Sequence, residues 1–231
     1  MRIQFNRQVG RMVAIGLAVA CATQAHAQST GSWVIKAGAN RIAPQVDSGD
    51  LSAPSSPGSK VDIGANTQLI GSLTYYYSDR CTVEGYFGLP YEHDVLGDGA
   101  MADVGRIGTV KQVSPTVFGQ YRFLDSSRMV RPYVGIGLTI AHFYDIEGSG
   151  RLTAVTNPGG GVPTKLSLAS RTKVALSPQL GIQLKLGDRW FADASVIKSF
   201  INNRASLSTG QSVDVKLNPL STNISIGYQF K

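Results

Sequence analysis

Residues 173–186 read KVALSPQLGIQLKL. Val174, Leu176, Pro178, Leu180, Ile182, Leu184 and Leu186 hold one parity, and Lys173, Ala175, Ser177, Gln179, Gly181, Gln183 and Lys185 hold the other. Successive side chains of a strand point to opposite faces, whereas a helix would scatter the same apolar residues around its whole circumference. The segment is therefore a strand with one greasy face and one wet face. Its fourteen residues exceed the roughly 5–6 of a globular strand and suffice for the roughly 9–11 of a tilted membrane strand.

The last segment repeats the pattern, with Leu220, Thr222, Ile224, Ile226, Tyr228 and Phe230 against Ser221, Asn223, Ser225, Gly227 and Gln229. Residues 33–42, 69–77, 83–91, 113–123, 132–143 and 190–201 carry it with more noise, which brings the strands to eight. Short joins at 78–80, 124–129 and 187–189 alternate with long ones at 43–68, 92–112, 144–172 and 202–214. Three short turns and four long loops suit a barrel whose two ends are both periplasmic. The predicted fold class is all-β, an eight-stranded antiparallel up-and-down transmembrane β-barrel. Pro115 and Pro178 fall inside strands and lack a ladder donor, so local breaks are expected there. Trp33, Tyr75, Tyr121, Phe123, Trp190, Tyr228 and Phe230 lie near strand ends, as the aromatic girdles of a barrel do.

The first residues have a different purpose. Arg2, Arg7 and Arg11 precede an apolar run from Met12 to Ala22, and Ala25-His26-Ala27 fits a signal-peptidase site. The expected organisation is a signal peptide over 1–27 and an outer-membrane β-barrel over 28–231. Cleavage would remove three arginines and no acid, lowering the formal charge from +7 to +4. So small and scattered a surplus argues against a nucleic-acid partner. No stretch of the mature chain approaches 18 consecutive apolar residues, so a helical span is not expected. No His-x-x-x-His, paired Cys, P-loop or Gly-x-Ser-x-Gly pattern accompanies His93 and His142, and neither an enzyme nor a cofactor or metal is expected.

Strand parity also assigns the lumen. Lys36, Asn40, Ser72, Thr74, Glu84, Arg122, Gln179, Lys185, Asp193 and Ser195 should point inward, where pairs such as Glu84 with Arg122 could close a barrel only wide enough for side chains. Ile70, Tyr76, Tyr86, Phe118, Tyr133 and Phe143 share the inward parity. A purely aqueous channel would not want them, so they are candidate pocket-lining residues, with packing as the plainer role. Pro90 and His93 fall where the third strand meets the outer interface and are candidates for a pocket rim or for turn geometry.

Over essentially its whole mature length the chain also resembles the OmpW family of eight-stranded outer-membrane proteins. The resemblance rests on WVIKAGANRIAP from Trp33, Pro90-Tyr91-Glu92-His93-Asp94, Ser114-Pro115-Thr116 followed by Gln120-Tyr121-Arg122-Phe123, Arg131-Pro132-Tyr133-Val134-Gly135-Ile136-Gly137, and the closing Ile226-Gly227-Tyr228-Gln229-Phe230. Lys231 departs from the family by following the final aromatic, and Ser114 stands where a second proline is common. The resemblance implies a narrow barrel with an apolar pocket, seated in outer-membrane lipid, inserted by the outer-membrane assembly machinery and passing small hydrophobic molecules. A structural or adhesive barrel with a sealed lumen is the alternative, and continuity of the pocket would separate the two. A soluble periplasmic barrel would have to turn Lys36, Glu84, Arg122 and Lys185 outward, and the strand lengths argue against it.

Overall fold

The computed structural model describes residues 30–230; the expected signal peptide, 1–27, lies outside the described residues. In chain order the strands are β1 (Trp33–Ala43), β2 (Asp47–Ser48), β3 (Ser59–Ile63), β4 (Asn66–Tyr76), β5 (Cys81–Gly88), β6 (Tyr91–Gly99), β7 (Arg106–Val113), β8 (Thr116–Arg122) and β9 (Val130–Gly148). Helix α1 (Gly150–Thr156) follows, and then β10 (Leu166–Leu168), β11 (Thr172–Lys185), β12 (Trp190–Lys198), β13 (Asn202–Leu207), β14 (Ser212–Lys216) and β15 (Leu220–Phe230).

Eight of these strands form a closed antiparallel wall in the order β1-β4-β5-β8-β9-β11-β12-β15, and β15 returns to β1. Each predicted strand has its counterpart there. Closure leaves no unpaired edge in the wall, which matters in a medium that cannot satisfy backbone groups. Alternation sets the faces as expected: Val174, Leu180, Ile224 and Ile226 are exposed, while Ser177, Gln179, Asn223 and Ser225 are buried inside. In water so many exposed apolar side chains would be an aggregation hazard, and in lipid they are the solvated surface. Aromatic pairs mark the periplasmic rim, with ring centroids 4.8 Å apart for Trp33 and Tyr75, 5.0 Å for Trp190 and Tyr228, and 5.3 Å for Tyr121 and Phe123.

The long joins are more ordered than their reading as loops implied. β9 runs for 19 residues, about 60 Å along the strand at roughly 3.3 Å per residue, which at a tilt of roughly 40° is about 45 Å of height and exceeds the roughly 30 Å hydrocarbon core. Its lower half pairs with β8 and its upper half with β7. β6 and β3 continue that upper sheet, and β10, β13, β14 and β2 make a second one. Ser149 caps α1 by accepting from the Leu152 amide at 3.2 Å, and Leu152 is buried between the sheets. Here polarity is reversed: Val61, Val95, Ile107, Val110, Val213 and Val215 point inward, and Asp62, Asp94, Asp214 and Lys216 point outward. A one-residue bulge in β9 opposite Val110, with Asp145 at φ 45°, lets Phe143 and Ile146 both face inward despite their opposite parity. Below this level the wall meets lipid, and above it water.

The two prolines interrupt the ladder as anticipated. Pro178 stands one residue beyond the last β11–β12 pair, Gln179 with Ile197. Pro115 separates β7 from β8, while Leu89-Pro90 separates β5 from β6. The β5–β8 ladder ends at Tyr86 and Thr116, and β6–β7 begins at Tyr91 and Gln112. Between those pairs the wall has a seam.

Candidate functional site

The lumen is stacked in three levels. The lowest is polar, and all eight wall strands contribute to it. Lys36 Nζ of β1 lies 2.5 Å from Glu84 Oε1 of β5 and 3.4 Å from Asp193 Oδ2 of β12. Ser72 Oγ donates to Glu84 Oε1 at 2.6 Å, and Gln120 Nε2 donates to Glu84 Oε2 at 2.5 Å and to Gln179 Oε1 at 2.8 Å. Arg122 donates to Gln183 Oε1 at 3.1 Å and to Gln120 Oε1 at 3.0 Å, and its guanidinium lies over the rings of Tyr133 and Tyr76 at 4.7 and 5.2 Å. Tyr133 Oη donates to Asp193 Oδ1 at 2.9 Å, and Asn223 Nδ2 to Tyr86 Oη at 3.2 Å. The two cations and two carboxylates balance. With every strand pinned to its neighbours across the lumen, this level is a plug.

Arg122 does not take the predicted role of ion-pair partner to Glu84. Lys36 takes it, because β1 and β5 flank β4 and their inward side chains meet over the small Ser72. Sequence parity put all three inside and could not choose between the cations. Space for the two large rings comes from glycine: a Cβ on Gly181 would meet Tyr133 Cζ at 2.2 Å, and one on Gly137 would meet Phe118 Cδ1 at 2.5 Å.

Above the plug is a narrow pocket of about 60 Å³, part apolar and part polar. Tyr86 and Phe118 meet edge to face at 5.4 Å, with Ile70 and Ile197 packed against them. A row of hydroxyls crosses the wall at the same level: Thr116 to Thr139 at 2.8 Å, Thr139 to Ser177 at 2.7 Å, and Ser177 to Ser199 at 2.8 Å. The pocket reaches the seam through Phe87, Gly88, Tyr91 and Ser114. The uppermost level is a chamber between the two outer sheets, with Phe143, Leu51, Met101, Leu152 and Val213 among its lining residues and Asn203 its polar one. Its free volume, about 70 Å³, lies below the roughly 300 Å³ of ordinary ligand pockets. A bulky guest must displace lining side chains.

The sequence candidates are thus divided among levels. Ile70, Tyr86 and Phe118 come together in the middle pocket, and Phe143 lies in the chamber. Tyr76 and Tyr133 belong to the plug. Pro90 is exposed at the β5–β6 break, next to Tyr91 of the middle pocket's lining. His93 is buried at 2 % exposure. Its Nδ1 is 2.8 Å from the Gly64 carbonyl and so carries the proton, and its ring stacks on Tyr91 at 6.2 Å. Tyr91 Oη in turn accepts from Asn40 Nδ2 at 2.8 Å, which ties the foot of β6 to β1. Burial pushes the His93 pKa below its ordinary value, against the opposing pull of the Gly64 carbonyl and Asp94. His142 lies exposed on the outer face, bonded to Thr172 at 2.9 Å.

The hydroxyl row and most of the chamber lining escaped the sequence reading. Alternation such as Lys60-Val61-Asp62-Ile63 and Ser212-Val213-Asp214-Val215-Lys216 was a usable signal, but its runs are short.

Residues 29–230 match the family model described as the OmpW family. Outer membrane protein W of Vibrio cholerae is 31% identical over 222 residues, covering 93% of this chain and 97% of that protein. The crystal structure of the outer membrane protein OprG from Pseudomonas aeruginosa is similar with a TM-score of 0.75 and 25% identity, covering 87% of this chain and 97% of that one. The solid-state NMR structure of outer membrane protein AlkL in lipid bilayers shares the fold, with a TM-score of 0.63 at 21% identity over 90% of this chain and 94% of that one.

Proposed function

Because this chain belongs to the OmpW family and is a non-enzymatic barrel of the outer membrane, we propose that it passes small hydrophobic molecules from the outer chamber into the bilayer. The carrying observation is the order of the levels: an apolar chamber stands above a closed, charge-balanced plug. An apolar guest gains by leaving water for the chamber and loses by entering the plug, whose polar groups would forfeit their partners. The middle pocket offers the remaining way out. It reaches the wall at the Leu89-Pro90 and Ser114-Pro115 seam, where no ladder bonds must be broken, and Phe87 and Leu89 face lipid outside. Ile70, Tyr86, Phe118 and Phe143 are the residues we assign to the guest's path. Tyr76 and Tyr133 hold the floor beneath it, and His93 with Tyr91 fixes the edge of the seam.

Uptake of a small hydrophobic fluorescent probe into vesicles bearing the refolded protein tests this reading. The expected outcome is uptake well above that of protein-free vesicles, reduced several-fold by Thr116→Trp, which fills the pocket beside the seam. Uptake no faster than in protein-free vesicles would overturn it in favour of a structural or adhesive barrel with a sealed lumen, a reading that the small chamber and intact plug also support.

A further inference from the structure

The middle pocket is neutral. Among the described residues that line it none is Asp, Glu, Lys, Arg or His, and the ionised groups of the plug below are paired with one another. Its polar groups are hydroxyls and amides. A hydroxyl has a single hydrogen and two lone pairs, so the protons of the hydroxyl row can be followed one by one. Thr116 Oγ1 donates to the Ser114 carbonyl at 3.2 Å. Thr139 must then donate to Thr116, Ser177 to Thr139, and Ser199 to Ser177. The row runs one way, every proton in it is committed, and Ser199 Oγ at its head has only lone pairs to offer.

Ser221 of β15 is the complement of that acceptor. It lies in register with Ile42 of β1 and Ile197 of β12, neither of which can pair with it. Its hydroxyl makes no hydrogen bond to any described residue, and unlike the sealed Ser225 Oγ it keeps accessible surface, which opens on the pocket. Hydroxyls inside a protein nearly always have a partner, and this one has a proton to give. Ser199 and Ser221 are diagonal neighbours on the β12–β15 ladder, so their side chains reach toward the same space. A guest oxygen between them must accept from Ser221 and donate to Ser199. A hydroxyl does both, a carbonyl or ether only accepts, and a hydrocarbon does neither. Toward the seam Tyr91 Oη and Ser114 Oγ each accept one bond, from Asn40 and Gln112, and keep a proton for a guest on its way out. We propose that the middle pocket selects neutral alcohols, small apolar molecules bearing one hydroxyl, over hydrocarbons of equal size. The selection deepens the proposed passage of hydrophobic guests, on which it rests, and names their class. Their apolar body lies against Ile70 and Phe118.

The test is nuclear magnetic resonance of the isotope-labelled protein refolded in nonionic micelles, observing the backbone amides of Ile197, Ser199 and Ser221. Cyclohexanol, cyclohexanone and methylcyclohexane are titrated separately, each at its measured concentration in the micelle phase. They share one ring and differ in giving and accepting, accepting only, or doing neither. Cyclohexanol should saturate the shifts at a several-fold lower concentration than cyclohexanone, and methylcyclohexane should need the highest. A group built to hydrogen-bond a guest hydroxyl discriminates against the analogue that lacks it. Ser221→Ala, which has no bond within the protein to lose, should weaken cyclohexanol and cyclohexanone several-fold and leave methylcyclohexane unchanged. Equal saturation by all three guests, no saturable shift from any, or an alcohol preference untouched by Ser221→Ala would overturn the assignment. Dye uptake into vesicles is read separately, and its failure strikes the transport reading while alcohol-selective shifts stand.

Discussion

At the scale of single residues, the plug is a trade between burial and pairing. Taking Lys36, Glu84, Arg122 and Asp193 out of water is costly, and the ion pairs of Lys36 with Glu84 and Asp193, together with hydrogen bonds to neutral partners such as Ser72, Gln120 and Gln183, offset that cost. Such a cluster is sensitive to loss of one member. Glu84→Gln leaves Lys36 with Asp193 at 3.4 Å as its remaining carboxylate and sets an amide donor against the Gln120 amide. The expected cost is about 3 kcal/mol, at the low end for breaking a buried pair, read as a lower urea midpoint for unfolding from micelles. Arg204→Gln removes an ion pair whose partners are both more than half exposed, and its expected cost is under about 1 kcal/mol. Equal losses for the two would refute the account of the plug.

At the scale of elements, β6 shows how one strand is held to the rim. It leaves the wall at Pro90, pairs with β3 and β7, and is anchored by neutral His93 against Gly64. The sign of the pH effect follows. With its pKa in the folded state held below the ordinary 6.5, His93 takes up a proton more readily when β6 is detached, so protons favour detachment. Stability from this group is complete above the ordinary histidine range and declines as pH falls through it, until the folded pKa is reached. Amide hydrogen exchange of β6 and β3 should therefore accelerate, relative to intrinsic rates, as pH is lowered from neutrality, while exchange in β15 stays unchanged. His93→Phe should remove the pH dependence, and its persistence in that variant would assign the effect elsewhere.

At the scale of the whole molecule, the protein is two objects of opposite polarity built on one wall. Below the bulge near Asp145 the apolar residues face out, and above it they face in. The lower part needs lipid to bury Leu69, Val174, Leu180 and Ile224, whereas the upper sheets bury their own core around Phe143 and Leu152. Folding should therefore require a micelle or bilayer, monitored by heat-modifiable gel migration together with strand-rich circular dichroism. Without amphiphile the expected outcome is aggregation, and a soluble folded monomer would contradict the membrane assignment.

The sequence by itself determined the eight-stranded wall. Period-two alternation is a local property, and a strand such as Thr172–Lys185 carries it whatever its neighbours do. Parity likewise placed Lys36, Glu84, Tyr86, Phe118 and Tyr133 inside, since a one-residue slip would turn every apolar side chain of a strand from lipid to lumen. Only the tertiary structure decided the depth of each residue. Depth depends on register and stagger between strands, which set Tyr133 beside Asp193 in the plug and Phe143, ten residues further along β9, in the chamber. The same stagger chose Lys36 over Arg122 for Glu84. The outer sheets were hidden for a related reason: their strands are short and their polarity is reversed, so their burial depends on partners far away in the chain, such as Asp47–Ser48 beside Ser212–Lys216.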